Sequence, residues 1–213
     1  MSMRIPRRIR LELFLQSIQA HPHPKASLEQ YTIPADLASE ILHIAAFQND
    51  DIVQRDIMDL GTGTGRLALG AAYLGARSVT GVDIDAEALA VAHRKAASSN
   101  LRGTTQWILA DIEAISGRFD TVLQNPPFGV RKKGADRRFL IKAMETGNVV
   151  YSLHKSGPSN REFIKRLVEK HGGTVTGIYQ MNFMISRTFQ FHRQKRYPVK
   201  VDLFRMISHD TKR

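Results

Sequence analysis

The sequence predicts a doubly wound α/β domain with a mostly parallel, seven-stranded sheet, preceded by a short N-terminal helical arm. From residue 55 onward, short apolar segments rich in β-branched residues alternate with Ala-rich helical segments. Strands that alternate with helices imply right-handed crossovers and a parallel sheet. Two consecutive strand-like segments, 174–181 and 199–206, close the chain and predict an antiparallel pair at one edge of the sheet.

The predicted elements follow one another in a regular order. The strands are expected at 55–60, 78–83, 105–110, 119–124, 149–153, 174–181 and 199–206. The helices are expected at 67–75, 86–98, 137–146 and 161–171. Asp85 stands where the N-cap of the second of these helices is required. We expect one domain over residues 1–213, in which residues 1–27 form the helical extension.

Composition excludes several classes of protein. The chain contains no cysteine, which rules out a disulfide framework, a Cys-ligated zinc site and a thiol nucleophile. Charged residues interrupt every apolar run before it reaches the ~18 residues of a membrane span. The basic N-terminus lacks a signal-peptide core, so a cytoplasmic protein is expected. His21 and His23 lie in a Pro-broken segment without partners at ligand spacing, so we expect a surface turn there and no metal site.

The positive charge is concentrated in one part of the chain. Residues 1–130 carry a net charge of −2, whereas residues 131–213 carry +13. Lys and Arg side chains near phosphates release condensed counterions, which drives binding to nucleic acid. The asymmetry therefore favours RNA or DNA as a partner, with a merely solubilising basic surface as the alternative.

A glycine-rich turn, DLGTGTGR at 59–66, follows the first predicted strand. Ligands of doubly wound sheets bind beyond the carboxyl ends of the strands, and glycines admit a ligand where a Cβ would exclude it. The dinucleotide fingerprint G-x-G-x-x-G/A needs a small residue where Arg66 stands. The spacing G-x-G-x-G after an acidic residue instead resembles that of S-adenosylmethionine-dependent methyltransferases.

Two acidic residues end the next two predicted strands. Asp83 lies 22 residues after Gly61, where a carboxylate can accept hydrogen bonds from both hydroxyls of a ribose. Asp111 follows the third strand. In the same resemblance an acidic side chain at that place binds the amine of the cofactor adenine, and a helix or turn cap is the alternative.

The tetrapeptide Asn125-Pro126-Pro127-Phe128 follows the fourth predicted strand and indicates the chemistry. A planar amine conjugated to a ring or carbonyl is a poor nucleophile because its lone pair is delocalised. The Asn125 side-chain oxygen and the Pro126 carbonyl can accept its two hydrogens and draw the nitrogen towards tetrahedral geometry. The prolines fix φ and remove competing N–H donors, and Phe128 offers a face for stacking.

The motif N-P-P-[FY] defines amine methylation but leaves the substrate open, because adenine-N6, guanine-N2 and protein-glutamine methyltransferases all carry it. Further motifs occur in a characteristic order: LEQY at 28–31, VYSLHK at 150–155 and FHRQK at 191–195. Together they resemble the methyltransferase-like protein five family over roughly residues 25–207. That family comprises archaeal and eukaryotic enzymes with the class I methyltransferase fold that form N6-methyladenosine in small-subunit ribosomal RNA.

The resemblance implies S-adenosylmethionine as cofactor and RNA as substrate. It implies a cofactor site made of Gln30, Gly61, Gly63, Thr64, Asp83, Ile84, Asp111, Ile112 and Asn125. It implies that residues 125–128 hold the target base. The family places Thr two residues after the Tyr of LEQY, whereas this chain has Thr32 and then Ile33, which leaves that contact open. Eukaryotic members work with a small zinc-binding activator protein, and the resemblance leaves open whether this chain needs a similar partner.

A basic run follows the catalytic turn directly. Arg131, Lys132 and Lys133 are expected to bind the phosphates that flank the target base, and Arg193, Lys195 and Arg196 to extend the same track. The basic last third argues against a protein-glutamine substrate. The intact NPPF turn argues against a non-catalytic, cofactor-binding ribosome-assembly factor.

Overall fold

The structure, a computed structural model, describes residues 7–25, 29–30, 32–127, 134–186 and 196–209. The strands are β1 (Asp56–Leu60), β2 (Ser78–Asp83), β3 (Thr105–Leu109), β4 (Phe119–Gln124), β5 (Gly147–Lys155), β6 (Gly173–Ser186) and β7 (Arg196–Ser208). The helices are α1 (Arg7–Gln16), α2 (Ala35–His43), α3 (Arg66–Tyr73), α4 (Ala86–Ser98), α5 (Ala135–Thr146) and α6 (Pro158–Lys170). A π-helical turn, Ile44–Gln48, continues α2, and a 3₁₀ turn, Ile112–Ala114, follows β3.

The seven strands form one sheet in the order β3-β2-β1-β4-β5-β7-β6, which confirms the predicted fold class. The first five strands are parallel to one another, and β7 inserts antiparallel between β5 and β6. Strand order reverses between β1 and β4, so the crevice for a ligand is expected at their carboxyl ends. The glycine-rich turn and Asn125 follow these two strands.

Alternating side chains of the central strands feed two hydrophobic cores. Ile57 packs into the core under α1, α2 and α3, whereas its neighbour Met58 packs into the core under α5 and α6. Burial on both faces explains why the central strands read as continuous apolar runs rather than alternating ones. None of the helices in the described ranges is long and apolar enough to cross a membrane.

The N-terminal part is built into this architecture. Leu11 and Leu15 of α1 are at most 1% exposed and belong to the same core as Ile57. Helix α2 was not predicted, and its Leu37 and Ile41 are buried in this same core. The helical arm is therefore a packed layer over one face of the sheet.

The terminal hairpin is longer than expected. The pairing of β5 with β7 ends at the carboxyl end of β5, where Lys155 lies opposite Val201. The β6–β7 ladder continues outward for five more residue pairs, from Asn182–Lys200 to Ser186–Arg196. At about 3.4 Å per residue this overhang extends roughly 15 Å beyond the carboxyl edge of the sheet.

Candidate active site

A cavity of about 250 Å³ opens at the carboxyl edge of the sheet, at the reversal between β1 and β4. Segments from the N-terminal region, the glycine-rich turn, the ends of β2, β3 and β4, and helix α5 line it. All nine residues that the resemblance assigned to the cofactor lie in this lining: Gln30, Gly61, Gly63, Thr64, Asp83, Ile84, Asp111, Ile112 and Asn125. Their individual contacts with a cofactor remain predictions.

The glycine-rich turn adopts a conformation that requires glycine. Gly61, Gly63 and Gly65 have φ values of 68°, 55° and 80°, in the left-handed region. A Cβ on Gly61 would lie 2.8 Å from the ring of Phe139, and a Cβ on Gly65 would lie 2.9 Å from Trp107. Gly61 and Gly63 line the cavity, whereas Gly65 instead allows α3 to pack closely on the sheet.

Asp83 holds the glycine-rich turn and faces the cavity. Its carboxylate accepts hydrogen bonds from the backbone N–H of Gly63 at 2.7 Å and of Asp85 at 2.9 Å. Burial raises its pKa above the usual range of a carboxyl group. The arrangement leaves acceptor capacity for ribose hydroxyls while the position of the carboxylate is fixed by backbone donors.

Asp59 adds a second buried carboxyl group beneath the same turn. It accepts hydrogen bonds from the hydroxyl of Thr62 at 2.7 Å and the N–H of Ala68 at 3.0 Å. Burial raises the pKa of Asp59 to about 7, and the nearby Asp83 acts in the same direction. The floor of the cavity is thus electronegative, which favours a ligand that carries positive charge.

Asp85 caps α4 as predicted and also anchors the N-terminal segment. Its side chain accepts hydrogen bonds from the N–H groups of Glu87 and Ala88 at the start of the helix. Lys25 Nζ lies 2.9 Å and Gln30 Nε2 lies 3.0 Å from the same carboxylate. Gln30 is therefore positioned at the cavity by a buried acid, a relationship that its sequence position did not reveal.

His21 corrects one sequence expectation. It was predicted on a surface turn, but its side chain is only 4% exposed and its Nε2 lies 3.4 Å from Asp85. Its Nδ1 accepts the backbone N–H of His23, whose own side chain is exposed as predicted. The segment that carries His21 is covered because it lies between the cavity and the N-terminus of α4.

The far end of the cavity is formed by the ends of β2 and β3. Ile84 and Ile112 provide apolar side chains, which suit the two faces of a planar ring. Asp111 caps the 3₁₀ turn through the N–H of Glu113 at 3.0 Å and lies 3.3 Å from Arg138. Asp111 is therefore a cap, as the alternative predicted. It also lines the cavity, and its contact with the adenine stays a prediction.

The NPP turn brings an unpaired acceptor to the cavity. Asn125 and Pro127 belong to the lining, and the side-chain oxygen of Asn125 is buried with no hydrogen-bond donor among the described residues. Such an orphan costs free energy unless a ligand supplies the donor. Phe128 and the basic run Arg131, Lys132 and Lys133 lie outside the described residues.

A polar row continues from the NPP turn across the same edge of the sheet. Gln124 donates to the hydroxyl of Ser152 at 2.9 Å, and that hydroxyl lies 2.7 Å from Nε2 of His154. Burial lowers the pKa of His154 to about 4, which keeps the imidazole neutral. His154 is therefore a packed core residue. The side-chain oxygen of Gln124 is a second buried acceptor that receives no hydrogen bond from the described residues.

Helix α5 and the start of α3 supply residues that the sequence analysis missed. Phe139 covers Gly61, Arg138 binds Asp111 and Glu113, and Arg66 reaches back to the N-terminal segment. Only the sequence position of Arg66, directly after the glycine-rich turn, signalled a site residue. The predicted RNA-binding residues Arg193 and Lys195 lie outside the described residues, and Arg196 is described only as the first residue of β7.

The site fits S-adenosylmethionine. The cavity combines carboxylates at the ends of β1 and β2 with two isoleucines at its far end, and a sulfonium and an adenine call for these groups. Fold and site together define the chain as a methyltransferase of the doubly wound α/β class.

Comparisons with known proteins agree with this class. Residues 33–151 match the model of the methyltransferase small domain family. The chain is 39% identical to an uncharacterized protein of Methanocaldococcus jannaschii over 92% of both chains. It is 33% identical to the rRNA N(6)-adenosine-methyltransferase Mettl5 of Drosophila melanogaster, over 92% of this chain and 94% of that protein.

A solved structure shares the whole architecture. A crystal structure from Pyrococcus horikoshii, provisionally described as an RNA methyltransferase, superimposes with a TM-score of 0.89 at 37% identity. The match covers 96% of this chain and 99% of that one. The chain belongs to the methyltransferase small domain family and, within it, to the methyltransferase-like protein five family. It is an S-adenosylmethionine-dependent methyltransferase.

Proposed function

We propose that this enzyme methylates the N6 amine of an adenine in RNA, with small-subunit ribosomal RNA as its substrate. The observation that carries the proposal is the buried side-chain oxygen of Asn125 in the cavity lining, to which no residue in the described ranges donates. Relatives over most of the chain are rRNA N(6)-adenosine-methyltransferases by name, which supports adenine rather than another amine.

Asn125 acts on the amine through hydrogen bonding. The N6 hydrogens of adenine donate to the Asn125 side-chain oxygen and to the Pro126 carbonyl, which draws the nitrogen lone pair out of conjugation. When bound, S-adenosylmethionine supplies the methyl group on a positively charged sulfonium. Because no strong base is needed, positioning of the amine accounts for most of the rate enhancement.

The two prolines make the NPP turn a rigid acceptor. Neither Pro126 nor Pro127 has an N–H that could donate to the Asn125 oxygen. The hydrogen bond from Gln124 to Ser152 fixes the end of β4, from which the turn starts. This bond lies on the face of the sheet that packs against α5 and α6. We propose that Phe128 stacks on the target base, as its place in the motif indicates.

RNA binding is proposed for the basic part of the chain. Residues 131–213 carry the whole positive excess, and the β6–β7 overhang extends from the edge of the sheet that holds the cavity. We propose that Arg131, Lys132 and Lys133 contact phosphates beside the target base, and that Arg193, Lys195 and Arg196 contact the flanking strand. Phosphate contacts supply affinity without base identity.

Two finer statements about the cellular setting belong to the same proposal. Strand β3 lies at the free edge of the sheet, and its Ile108 and Leu109 are 38% and 59% exposed. Exposed edge strands accept a strand from another protein, so we propose this edge for a small zinc-binding activator.

An enzyme acting on ribosomal RNA is expected in the cytoplasm.

The test is product analysis with labelled cofactor. The full chain is incubated with labelled S-adenosylmethionine and either small-subunit RNA or ribosomal protein, and the product is digested to nucleosides or amino acids. Label in N6-methyladenosine supports the proposal. Label in N2-methylguanosine, in methylglutamine or in neither substrate would contradict it, the last outcome favouring a non-catalytic assembly factor.

A further inference from the structure

Arg66 is a charged residue of the cavity lining that the proposed function does not use. It is the first residue of α3 and follows the glycine-rich turn directly. One terminal nitrogen, Nη2, donates to the carbonyl of Ile18 at 2.9 Å, and Nη1 donates to the carbonyl of Ile33. The guanidinium thus lies between the glycine-rich turn and the N-terminal segment.

Arg66 is partly buried in the cavity lining and has no counter-ion among the described residues. Among the described residues no carboxylate oxygen comes within ion-pairing distance of it, and its Nε is buried without an acceptor. Burial lowers its pKa, and only the more distant Asp36 acts in the opposite direction. Arg138, the other arginine of the lining, is paired with both Asp111 and Glu113.

Two neutral carbonyls do not require a full charge. Removing a guanidinium from water costs free energy unless an anion or several acceptors compensate. Ile18 and Ile33 satisfy two of its five N–H donors, which leaves the charge itself unmatched. A cation of this kind beside a ligand cavity points to a ligand with a carboxylate or phosphate group.

The position in the cavity selects the carboxylate of an amino acid. Asp111 and Ile112, which follow β3, line the end of the cavity that we propose for the adenine. Asp83 is the proposed ribose contact. Arg66 directly follows the turn after β1. It lies on the side of Asp83 that is away from the adenine end. Asp59 lies beneath the same turn and suits the positive groups of such a ligand.

We propose that Arg66 binds the α-carboxylate of the methionine moiety of S-adenosylmethionine and makes the enzyme prefer carboxylated over decarboxylated adenosyl ligands. The assignment rests on the cofactor of the proposed function and extends it to the recognition of one ligand group. Because a charge-assisted hydrogen bond is roughly twice as strong as a neutral one, the preference is expected to be large.

Calorimetric titration with a matched ligand pair tests the assignment. S-adenosylhomocysteine and S-adenosyl-3-thiopropylamine differ only in the carboxylate, and both are titrated into the full chain and into Arg66→Gln. The parent is expected to prefer the carboxylated ligand by about tenfold or more. In Arg66→Gln the preference falls to about threefold or less, because only the carboxylated ligand loses affinity.

Further variants and a third ligand separate this role from a structural one. Arg66→Lys keeps the charge and is expected to retain part of the preference, and Arg118→Gln, which changes an arginine bonded to Asn148 away from the cavity, is expected to retain all of it. Binding of 5′-methylthioadenosine, which lacks the amino-acid portion, reports that the cavity of each variant is folded.

Three results would overturn the assignment. If Arg66→Gln weakens both ligands equally, Arg66 only anchors the N-terminal segment. If the parent shows no preference, the carboxylate is not recognised there. If the parent binds neither ligand, the cofactor and the proposed function fail together with this inference.

Discussion

The two halves of the carboxyl edge of the sheet differ in how their polar groups are satisfied. At the ends of β1 and β2, Asp59, Asp83 and Asp85 all accept hydrogen bonds from the protein itself. At the end of β4, the side-chain oxygens of Gln124 and Asn125 are buried, and the part of the chain that the structure describes supplies no donor to them. The carboxylates of the cofactor half thus have hydrogen-bond donors before a ligand arrives, whereas the amide oxygens of the substrate half are left for a donor from the molecule it acts on.

Charge follows the same division. The cofactor half belongs to a part of the chain with a net charge of −2, and its cavity floor holds buried acids. The part with +13 begins at residue 131, just after the turn that would hold the target base. Its cations suit the phosphates of an RNA, whereas the buried acids suit a cationic cofactor.

The largest effect is expected when the unpaired acceptor is removed. Asn125→Ala should lower turnover by about 10²–10³-fold, by analogy with the loss of one preorganised catalytic hydrogen-bond partner. Cofactor affinity should stay close to that of the parent, because the cofactor half is satisfied independently. Steady-state rates at saturating cofactor check the first statement, and calorimetry checks the second.

Asn148→Ala is the matched control for this variant, since Asn148 is exposed and bonds to Arg118 far from the cavity. It should leave turnover unchanged. A rate for Asn125→Ala within a factor of two of the parent would mean that the NPP turn is only structural.

The buried acid beneath the glycine-rich turn predicts a pH effect on stability. The pKa of Asp59 is about 7 in the folded protein, against an ordinary value of 3.8. The folded state therefore holds a proton that the unfolded state has lost, and stability from this group disappears as pH rises from about 4 to 7. Asp59→Asn should remove that loss, which amounts to about 4 kcal/mol or less.

Denaturant unfolding of parent and Asp59→Asn without cofactor, at several pH values, measures the difference. The variant should gain stability relative to the parent as pH rises. Asp50→Asn, which changes an exposed carboxylate, serves as the control. A pH-independent difference between Asp59→Asn and the parent would contradict a raised pKa.

The ribose contact predicts a smaller loss in the cofactor half. Asp83→Ala removes the proposed acceptor and weakens S-adenosylmethionine binding by about 1–3 kcal/mol. Asp83→Asn should lose less, because one oxygen remains for Gly63 and a hydroxyl. Calorimetry distinguishes the two, and NAD binding by the parent as tight as S-adenosylmethionine binding would refute the site assignment.

The basic run of the substrate half predicts an effect on RNA alone. Replacing Arg131, Lys132 and Lys133 with Ala should weaken binding of matched and scrambled RNA alike. The salt dependence of log affinity should lose roughly 0.7 units of slope per contact on single-stranded RNA. Filter binding over a salt series measures this, with Lys165, Arg166 and Lys170 on the exposed face of α6 as the matched control triple. An unaltered slope would favour a small-molecule or protein substrate.

Local signals made the cofactor half predictable from sequence. Strands β2 and β4 and helix α4 have the predicted bounds, because Asp85 caps α4 and turn residues flank the strands. The glycine-rich turn and Asp83 are adjacent to strand ends, so fold topology alone brings them together. The resemblance added Gln30, whose place depends on the buried Asp85.

Contacts between distant segments limited the rest. The burial of His21 and the hydrogen bonds of Arg66 to Ile18 and Ile33 join parts of the chain that no local pattern relates. The extra length of β6 and β7 comes from their pairing with each other beyond the end of β5. The sequence is compatible with Phe139 as a residue of the hydrophobic core, and only the structure shows that its ring covers Gly61.

A double-variant cycle tests most directly whether the two halves act separately. Asp83→Ala, Asn125→Ala and the double variant are compared with the parent by kcat/KM for S-adenosylmethionine in RNA methylation. Independent sites add within about 0.5 kcal/mol, so the double variant should lose the product of the two single losses. A double variant no worse than the poorer single one would contradict this account, because it would show that Asp83 and Asn125 act as one unit.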